Sequence, residues 1–583
     1  MDRSSLILSF AILALYVANV KIGEITYFYP LHIILLNILG LSAAIAFFLA
    51  YSQRGKGIKL PLKGNGMVII ASVLFFFVIS FQLVGVAVLI TIVALLLSEY
   101  PSRKLRGYRL YISSFLIIIL AFALVYAMLY PLRGLNWKGI DEIAYNYYAS
   151  YLLLHGTNPY TVSMLPILSA HNITPTYLLN GSVETAYDYP AFSFLPVLFM
   201  GLFDLRNFIG FVGIVAFITI AVAFIIYRKA NYSRMALLPV AVWLLVTYIF
   251  LGTIDQYIAV AFFLLIAYTE RRNIMLSGIF MGLAASTIQL SWFALPFFFV
   301  LVLREKGKEA MLKSIMVTIL IFLLANSYFI IAAPKQFLMN ILGLFGTSKL
   351  LLEGTNIAQV FVRSYGVALW YPAVLSLLAF AVFLALFYLY TYTLKPMLAV
   401  APAFIFMLSW HNFLLYSLPF VPLLILLCYE TRKENVKDIA RNRSYIPIAL
   451  GILVLVAVAL AIYAHSVYAR DNTISINGAS VSLGYSGNTY GFNGININVT
   501  NNGDSLENIT FFMVTEQNGR DAVFQSVYLN GTAPHSTKVY SLPYNVQSLS
   551  GSTRIFILAF SSDYIRSAEY ALDPQSGSIT KIT

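Results

Sequence analysis

Residues 445–486 read YIPIALGILVLVAVALAIYAHSVYARDNTISINGASVSLGYS, and the character of the sequence changes in the middle of this stretch. The first part, Tyr445 to Tyr468, is almost entirely apolar and is long enough for one transmembrane helix, which needs about 20 residues. After residue 470, apolar and polar residues alternate between Asn-Gly and Gly-Asp turn signals, a pattern typical of β-strands. The stretch therefore predicts a last membrane span, followed by a small β-sandwich-like domain over 469–583 with a core of its own.

The composition of the whole chain is that of a membrane protein. It has 583 residues, of which 60% are hydrophobic and 10% are charged, and its mean hydropathy is +0.81. A soluble protein of this size would not expose so apolar a surface. We therefore expect a polytopic α-helical protein of roughly 13 to 16 helices in the cell (plasma) membrane. The net charge of +13 is explained by basic cytoplasmic loops, so we expect no nucleic-acid partner.

Clusters of Lys and Arg divide the loops between the two sides of the membrane. They lie at residues 54–63, 103–109, 228–234, 271–272, 304–308, 395 and 432–443, and the apolar sequence between them allows all of them to be cytoplasmic. The chain then divides into N-terminal transmembrane helices over 1–107, a core over 108–430 with outer loops 131–190 and 334–363, and a cytoplasmic linker with the last transmembrane helix over 431–468. This arrangement places the β domain on the extracytoplasmic side. The segment 191–203 is too short to cross comfortably, and the sequence leaves open a re-entrant helix or a pass.

The first outer loop contains the stretch GIDEIAYNYYASYLLLHGTNPY, residues 139–160. Asp141, Tyr145, Tyr148 and Leu152 recur at the spacing of one helix face, which predicts an amphipathic helix lying on the membrane surface. One interpretation is an interfacial belt of tyrosines with a capping acid at its start. The other places a carboxylate at the membrane boundary, where a lipid-borne substrate presents its head group.

Asp141-Glu142, the helix ending HGTNPY and the later YDYPAFSFLPVLF together resemble the GT-C superfamily of membrane glycosyltransferases, which use polyprenyl-phosphate sugars. The similarity is closest to the mannosyltransferase-like branch, where an acidic residue is followed by Gly-x-Asn-Pro-Tyr and then by Tyr-Pro-Pro. Looser similarities lie in GTIDQYIAVAFF, TNIAQVFVRSYG and WHNFLLYSLPF, so that the resemblance covers about residues 110 to 430. Two positions differ from the family pattern: Ala191 replaces the second proline, and Gln289 replaces a basic residue often found at a hairpin apex.

The resemblance implies an inverting transfer of a sugar, such as mannose or another hexose, from a polyprenyl or dolichyl phosphate. The acceptor would be a lipid-linked glycan, a glycolipid or a protein on the extracytoplasmic side. Asp141 is the expected base, with Glu142 beside it, because the incoming hydroxyl needs a proton acceptor. Arg363 is the first choice for the donor phosphate and His411 the second. The expected substrate-binding residues are Tyr145, His155, Asn158, Tyr160, Asp188, Tyr189, Asp255, Gln289, Arg363 and His411.

We expect no required metal and no other cofactor. Asp141 and Glu142 are sequence neighbours, so on a helix their side chains point about 100° apart and do not form a chelate by themselves. The expected partners are therefore the lipid-linked donor, the glycan or glycolipid acceptor, and membrane lipids.

Two other functions remain alternatives. A transporter or flippase of lipid-linked sugars would be as hydrophobic, but usually has internal repeats and ionisable residues in mid-span. An oligosaccharide transferase would also have an outer C-terminal domain, although the Trp-Trp-Asp signature of that family is absent.

Overall fold

The computed structural model describes residues 141–226 with gaps, 253–343 except 271, 361–408 with gaps, some residues between 416 and 440, and 445–581 with short gaps. The predicted N-terminal helices over 1–107 lie outside the described residues, as do Arg363 and His411. The described helices are α1 Asp141–Leu154, α2 Leu165–His171, α3 Ile254–Thr269, α4 Ile274–Thr287, α5 Leu295–Lys306, α6 Lys308–Ala332, α7 Pro334–Gly343, α8 Trp370–Leu389, α9 Met397–Leu408 and α10 Tyr445–Asp471. Short 3-10 helices cover Pro159–Thr161, Ala191–Ser193, Leu195–Leu202 and Gln289–Ala294.

Three of the described helices are long and apolar enough to cross a membrane. They are α6, α8 and α10, whose most apolar windows have mean hydropathies of 2.4, 2.4 and 2.8. Only 6% of that window of α10 is buried inside the protein, which leaves most of its apolar side chains to face lipid. The chain is thus a mostly helical membrane protein, and the predicted span from Tyr445 to Tyr468 is confirmed as a helix of this kind.

Helices α4 and α6 pack closely because α4 presents glycines to its neighbour. A Cβ atom on Gly282 would lie 2.8 Å from the carbonyl oxygen of Thr318 and 2.7 Å from Cβ of Ile321. One turn earlier, a Cβ atom on Gly278 would lie 3.2 Å from the carbonyl oxygen of Ser314. Small residues spaced by four allow two helix backbones to approach in this way.

A buried ion pair joins helix ends at one end of the bundle. Nζ of Lys395 lies 3.0 Å from Oε1 of Glu270 and 3.9 Å from Oε1 of Glu305, and Lys395 and Glu270 are almost inaccessible to solvent. Lys395 follows α8, Glu270 comes directly after α3, and Glu305 lies in the last turn of α5. The three predicted basic loops that contain or adjoin them therefore meet at the same end of the bundle.

The segment 191–203, left open above, forms two 3-10 helices. The second, Leu195–Leu202, packs along α1, and the first, Ala191–Ser193, packs against α3, α4 and α6. A Cβ atom on Gly201 would lie 2.6 Å from the backbone nitrogen of Tyr151, so glycine is what allows this approach. The longer helix, Leu195–Leu202, has eight residues and at about 2.0 Å per residue spans only ~16 Å. Because a bilayer core is about 30 Å thick, this segment does not make a pass.

The C-terminal part forms strands, as the alternating sequence predicts. They are β1 Ile474–Ser486, β2 Thr489–Asn501, β3 Glu507–Gln517, β4 Arg520–Thr532, β5 Ser536–Val546, β6 Thr553–Ser561, β7 Tyr564–Leu572 and β8 Ile579–Lys581. One antiparallel sheet has the order β1-β2-β5 and the other β4-β3-β6-β7-β8. Side chains of both sheets, among them Ile497 and Val499 of β2 and Phe511 of β3, share one hydrophobic core.

The β domain also packs against the helical part. Phe512 of β3 and its cross-strand partner Leu558 of β6 are both buried and belong to the hydrophobic core of the helices. Neighbouring residues of a strand point to opposite faces of the sheet. Phe511 therefore packs in the core of the β domain, while Phe512 points away from it into the core of the helical part. The larger sheet is therefore covered on both faces at this point.

Candidate active site

Asp141 and Glu142 form the first turn of α1. Oδ1 of Asp141 accepts a hydrogen bond of 2.8 Å from the backbone nitrogen of Glu142, and Oδ2 accepts one of 2.6 Å from Oγ1 of Thr176. A carboxylate at a helix N-terminus is also stabilised by the helix dipole. Asp141 is thus half-buried and held at both oxygens by protein donors.

The environment of Asp141 makes it a stronger base than an exposed aspartate. Burial raises the pKa of Asp141 above its ordinary value of 3.8, while the hydrogen bonds from Thr176 and from the backbone oppose that rise. A higher pKa increases the affinity of the ionised carboxylate for a proton. Asp141 can therefore accept a proton from a group that approaches it.

Glu142 points into the helical core, where it meets the start of α3. Its Oε1 accepts a hydrogen bond of 2.8 Å from Oγ1 of Thr253. Burial, and then the neighbouring charge of Asp255, raise the pKa of Glu142 well above its ordinary value of 4.5. Asp255 is itself fully buried, and its Oδ1 accepts a hydrogen bond of 3.3 Å from Nδ2 of Asn146.

The prediction of a helix lying on the membrane surface is wrong. Tyr145 and Leu152, on the predicted face, are buried, but so are Glu142, Asn146 and Ser150 on another side of the helix. Helix α1 packs against the 3-10 helices at 195–202 and 159–161 and against α2, so protein covers more than one of its sides, although Tyr151 and Leu154 are exposed. An amphipathic pattern could not show this, since the buried second side is polar.

That polar side was missed by the sequence analysis, although a signal was present. Glu142, Asn146 and Ser150 recur every four residues in a helix that is otherwise apolar or aromatic, which places them in one row. The row continues into the loop, because Oη of Tyr187 donates a hydrogen bond of 2.6 Å to Oδ1 of Asn146 and also bonds Ser193. A chain of hydrogen bonds thus runs from Asp255 to the 3-10 helix at 191–193.

Asp188 and Tyr189 interact electrostatically with Asp141 and Glu142. Burial raises the pKa of Asp188 well above its ordinary value, and the charges of Glu184 and Asp141 raise it further. Among the described residues, Oδ1 of Asp188 has no hydrogen-bond partner. Burial and the charges of Glu142 and Asp188 raise the pKa of the Tyr189 phenol. We name Asp141, Glu142, Asp188 and Asp255 the acid cluster.

Gln289 holds the backbone at the acid cluster. Its Nε2 donates to the carbonyl oxygen of Asp188, and lies 3.4 Å from the carbonyl oxygen of Ile341. Gln289 therefore joins the α4–α5 connection to the loop that carries Asp188 and to α7, so the structure uses its amide for positioning.

The Gly-x-Asn-Pro-Tyr sequence ends α1 as predicted. Gly156 adopts a φ of 76°, and the nitrogen of Thr157 donates to the oxygen of Leu152 at 2.9 Å, which is the Schellman arrangement. Oδ1 of Asn158 then accepts a hydrogen bond of 3.0 Å from the backbone nitrogen of Tyr160 and caps the next 3-10 helix. The expected substrate-binding residue Asn158 is thus engaged in local structure.

Tyr160, Tyr145 and His155 also bond to the protein. Oη of Tyr160 donates to the carbonyl oxygen of Tyr189 at 2.6 Å, and Oη of Tyr145 donates to that of Glu184 at 2.9 Å. Both tyrosines therefore fix the loop that carries Asp188. His155 is exposed, and its Nδ1 lies 2.8 Å from the carbonyl oxygen of Tyr151, so it does not join the acid cluster.

The described site is suited to proton transfer. Within the residues that the structure describes, no three Asp, Glu, His or Cys side chains are arranged to hold a metal ion. The acid cluster combines a half-buried carboxylate, Asp141, with three buried acids, Glu142, Asp188 and Asp255. Comparisons of the chain with protein-family models, with curated proteins and with solved structures found no match.

Proposed function

We propose that the chain is a membrane glycosyltransferase of the GT-C type. It would transfer a hexose from a polyprenyl phosphate to a hydroxyl group of a lipid-linked glycan, glycolipid or protein on the extracytoplasmic side. The observation that supports this proposal is the half-buried Asp141 carboxylate, held by Thr176 at the head of α1 beside further acids. A proton acceptor fixed at the end of an apolar bundle is what transfer from a lipid-borne donor requires.

In the proposed reaction, Asp141 takes the proton of the acceptor hydroxyl. The acceptor oxygen forms a bond to the anomeric carbon from the face opposite the phosphate, and the bond from that carbon to the phosphate oxygen breaks. The lipid phosphate leaves with the bonding electron pair, and attack from the opposite face inverts the configuration at the anomeric carbon. Proton removal late in this step suits a carboxylate base, because positive charge develops on the sugar as the bond breaks.

The neighbours of Asp141 have a separate role in this proposal. The raised pKa of Glu142 makes it give up its proton less readily than an exposed glutamate, which lessens the negative charge that an anionic donor meets. The donor phosphate would be bound by Arg363, with His411 as the second choice, because a guanidinium matches phosphate oxygens in a bidentate way. The charge of Asp141 acts on both Asp188 and Tyr189. We propose that these two residues contact the sugar or the acceptor.

One observation favours a second candidate, a proton-coupled carrier of lipid-linked sugars. Glu142 and Asp255 are buried together inside the helical part, and ionisable residues buried in a membrane bundle often belong to proton pathways. A carrier would move its substrate between vesicle compartments without cleaving it, whereas the transferase would release lipid phosphate.

The test is transfer from a radiolabelled polyprenyl-phosphate sugar by the purified protein in detergent, with extracted membrane lipids and proteins as acceptors. Asp141→Asn keeps the size of the side chain and an acceptor for Thr176, but cannot take a proton. It should reduce transfer by a factor on the order of 10² or more. Glu142→Gln is the matched control, and it should reduce transfer much less because glutamine resembles a protonated glutamate.

If Asp141→Asn transfers sugar at the wild-type rate while Glu142→Gln loses transfer, the base is Glu142 rather than Asp141. Equal activity of both variants would remove the acid cluster from catalysis. Movement of an intact lipid-linked sugar across vesicles, with no cleavage, would favour the carrier.

A further inference from the structure

The β domain reaches the acid cluster through one short segment of the outer loop. We call residues 176–179 and 182–184 the bridging segment. Its ends are tied by a hydrogen bond of 2.8 Å from the nitrogen of Glu184 to the oxygen of Thr176, and by a β-bridge between Tyr177 and Val183. These pairings make the two described arms of the segment a hairpin.

Both ends of the bridging segment contact α1, and Thr176 contacts the acid cluster itself. Oγ1 of Thr176 donates to Oδ2 of Asp141 at 2.6 Å, and the oxygen of Glu184 accepts from Oη of Tyr145 at 2.9 Å. Both contacts connect the hairpin to α1. A shift of the hairpin would thus alter the hydrogen bonding of Asp141.

Tyr177, which follows Thr176 in the bridging segment, contacts the β domain. The ring of Tyr177 packs edge-on against that of Phe512, with their centroids 6.2 Å apart and an interplanar angle of 81°. Phe512 and its partner Leu558 are buried in the core of the helical part rather than in that of the β domain. The aromatic contact at Tyr177 and the hydrogen bond at Thr176 therefore involve adjacent residues.

We propose that the β domain positions the base of the reaction, with Phe512 as a positioning residue that acts on Asp141 through Tyr177 and Thr176. This inference deepens the proposed glycosyl transfer and rests on it for its activity readout. Phe512 does not touch the reacting atoms. It sets the place of the hairpin that donates to the carboxylate, so the C-terminal domain is part of the catalytic apparatus rather than an appended module.

The groups around Asp141 determine how this coupling appears in a pH profile. The titratable groups that feel its charge are Glu142 and Tyr145 of α1 and Asp188 and Tyr189 of the loop. The bond from Thr176 lowers the pKa of Asp141, so its loss raises that pKa. A base with a higher pKa becomes ionised only at higher pH, and the acidic limb of the profile moves upward.

The sequence offers a matched pair of variants. Phe511 and Phe512 are adjacent on β3 and both are fully buried, but they face different cores. Phe512→Ala should lower kcat by a factor on the order of 10 with little change in KM for the donor. It should also move the acidic limb upward by on the order of 0.5 pH unit. Phe511→Ala should lower thermal stability similarly while keeping the pH profile of the wild type.

Three further variants test the route of the coupling. Thr176→Ala should shift the acidic limb in the same direction as Phe512→Ala, and the double variant should shift it no further than Thr176→Ala alone, because both act on one bond. Phe512→Leu, which keeps an apolar contact, should restore much of the wild-type profile. If the alanine variants do not fold, Phe512→Leu and Phe511→Leu make the same comparison at smaller amplitude.

A second readout does not depend on activity. Hydrogen exchange of the amides of Leu178 and Glu184, both hydrogen-bonded within the bridging segment, should be faster in Phe512→Ala and unchanged in Phe511→Ala. A wild-type protein without transferase activity would refute the proposed function, while the exchange data would still test the coupling. A wild-type pH profile and unchanged exchange in Phe512→Ala would overturn the inference and leave Phe512 a packing residue.

Discussion

Glu142 shows how burial changes the contribution of one residue to stability. Its pKa in the folded protein is raised above the ordinary value by burial and by Asp255. The folded state therefore binds this proton more tightly than the unfolded state does. The resulting stability is present below the ordinary pKa and is lost as the pH rises through the raised value.

We expect the unfolding temperature of the purified protein to fall as the pH rises from the ordinary carboxyl range toward the raised pKa of Glu142, and to fall less in Glu142→Gln. Some slope should remain, because burial also raises the pKa of Asp141 and of Asp188. Glu309→Gln, a change at an exposed glutamate of α6, should keep the wild-type slope. Thermal unfolding across this range measures the difference, and equal slopes in all three proteins would contradict it.

At this scale the sequence located the acidic pair but not its geometry. The order Asp-Glu at the head of a helix is visible in the chain, and so is the turn at Gly156. Which of two adjacent carboxyls enters the core depends on the rotation of α1 within the bundle. That rotation is set by Thr253 and Asp255, which lie more than a hundred residues away in the chain.

The contact between α4 and α6 leads to a prediction about elements. Gly282→Ala places a methyl group 2.8 Å from the carbonyl oxygen of Thr318, so the helices must separate. Such overpacking costs on the order of 1–3 kcal/mol. Gly451→Ala in α10 is the control, because nothing lies within 4 Å of its added Cβ atom. Thermal unfolding in detergent should show a lower midpoint for the first variant alone, and equal midpoints would exclude close packing here.

Elements were predictable where local chemistry alone determines them. The apolar run of α10 predicted a helix in lipid, and the alternation in β2 predicted a strand with one face in a sheet core. Each pattern fits only one such environment. The segment 191–203 was not predictable, since a 3-10 helix of this length has no sequence periodicity of its own and is held by its packing on α1.

The whole molecule tests the assignment of sides. Because Cys428 is the only cysteine, single cysteines can be placed at Ser182, Ser444 and Ser505 in a background without it. An impermeant thiol reagent added outside should label the first and third positions and spare the second, since the basic loops are expected to be cytoplasmic. Labelling at Ser444 alone would invert the orientation.

The docking of the β domain lay beyond sequence analysis at this scale. A run such as Ile509 to Phe512 indicates a strand, but two adjacent phenylalanines do not show that each enters a different core. The alternation of apolar and polar residues identified the strands. That the outer face of the larger sheet is also covered depends on its contact with the helical part, which the strand sequence does not show.

The contact between Tyr177 and Phe512 has a consequence for biogenesis. A ribosome that adds about 5–20 residues per second needs roughly 20 to 70 s to pass from the first of these residues to the second. If the outer loop is extracytoplasmic, as the basic loops predict, it would be translocated during that time, while its partner has not been synthesised. In the proposed arrangement the site is completed last, so a chain interrupted within the β domain would be inserted in the membrane yet lack the contact that we propose positions Asp141.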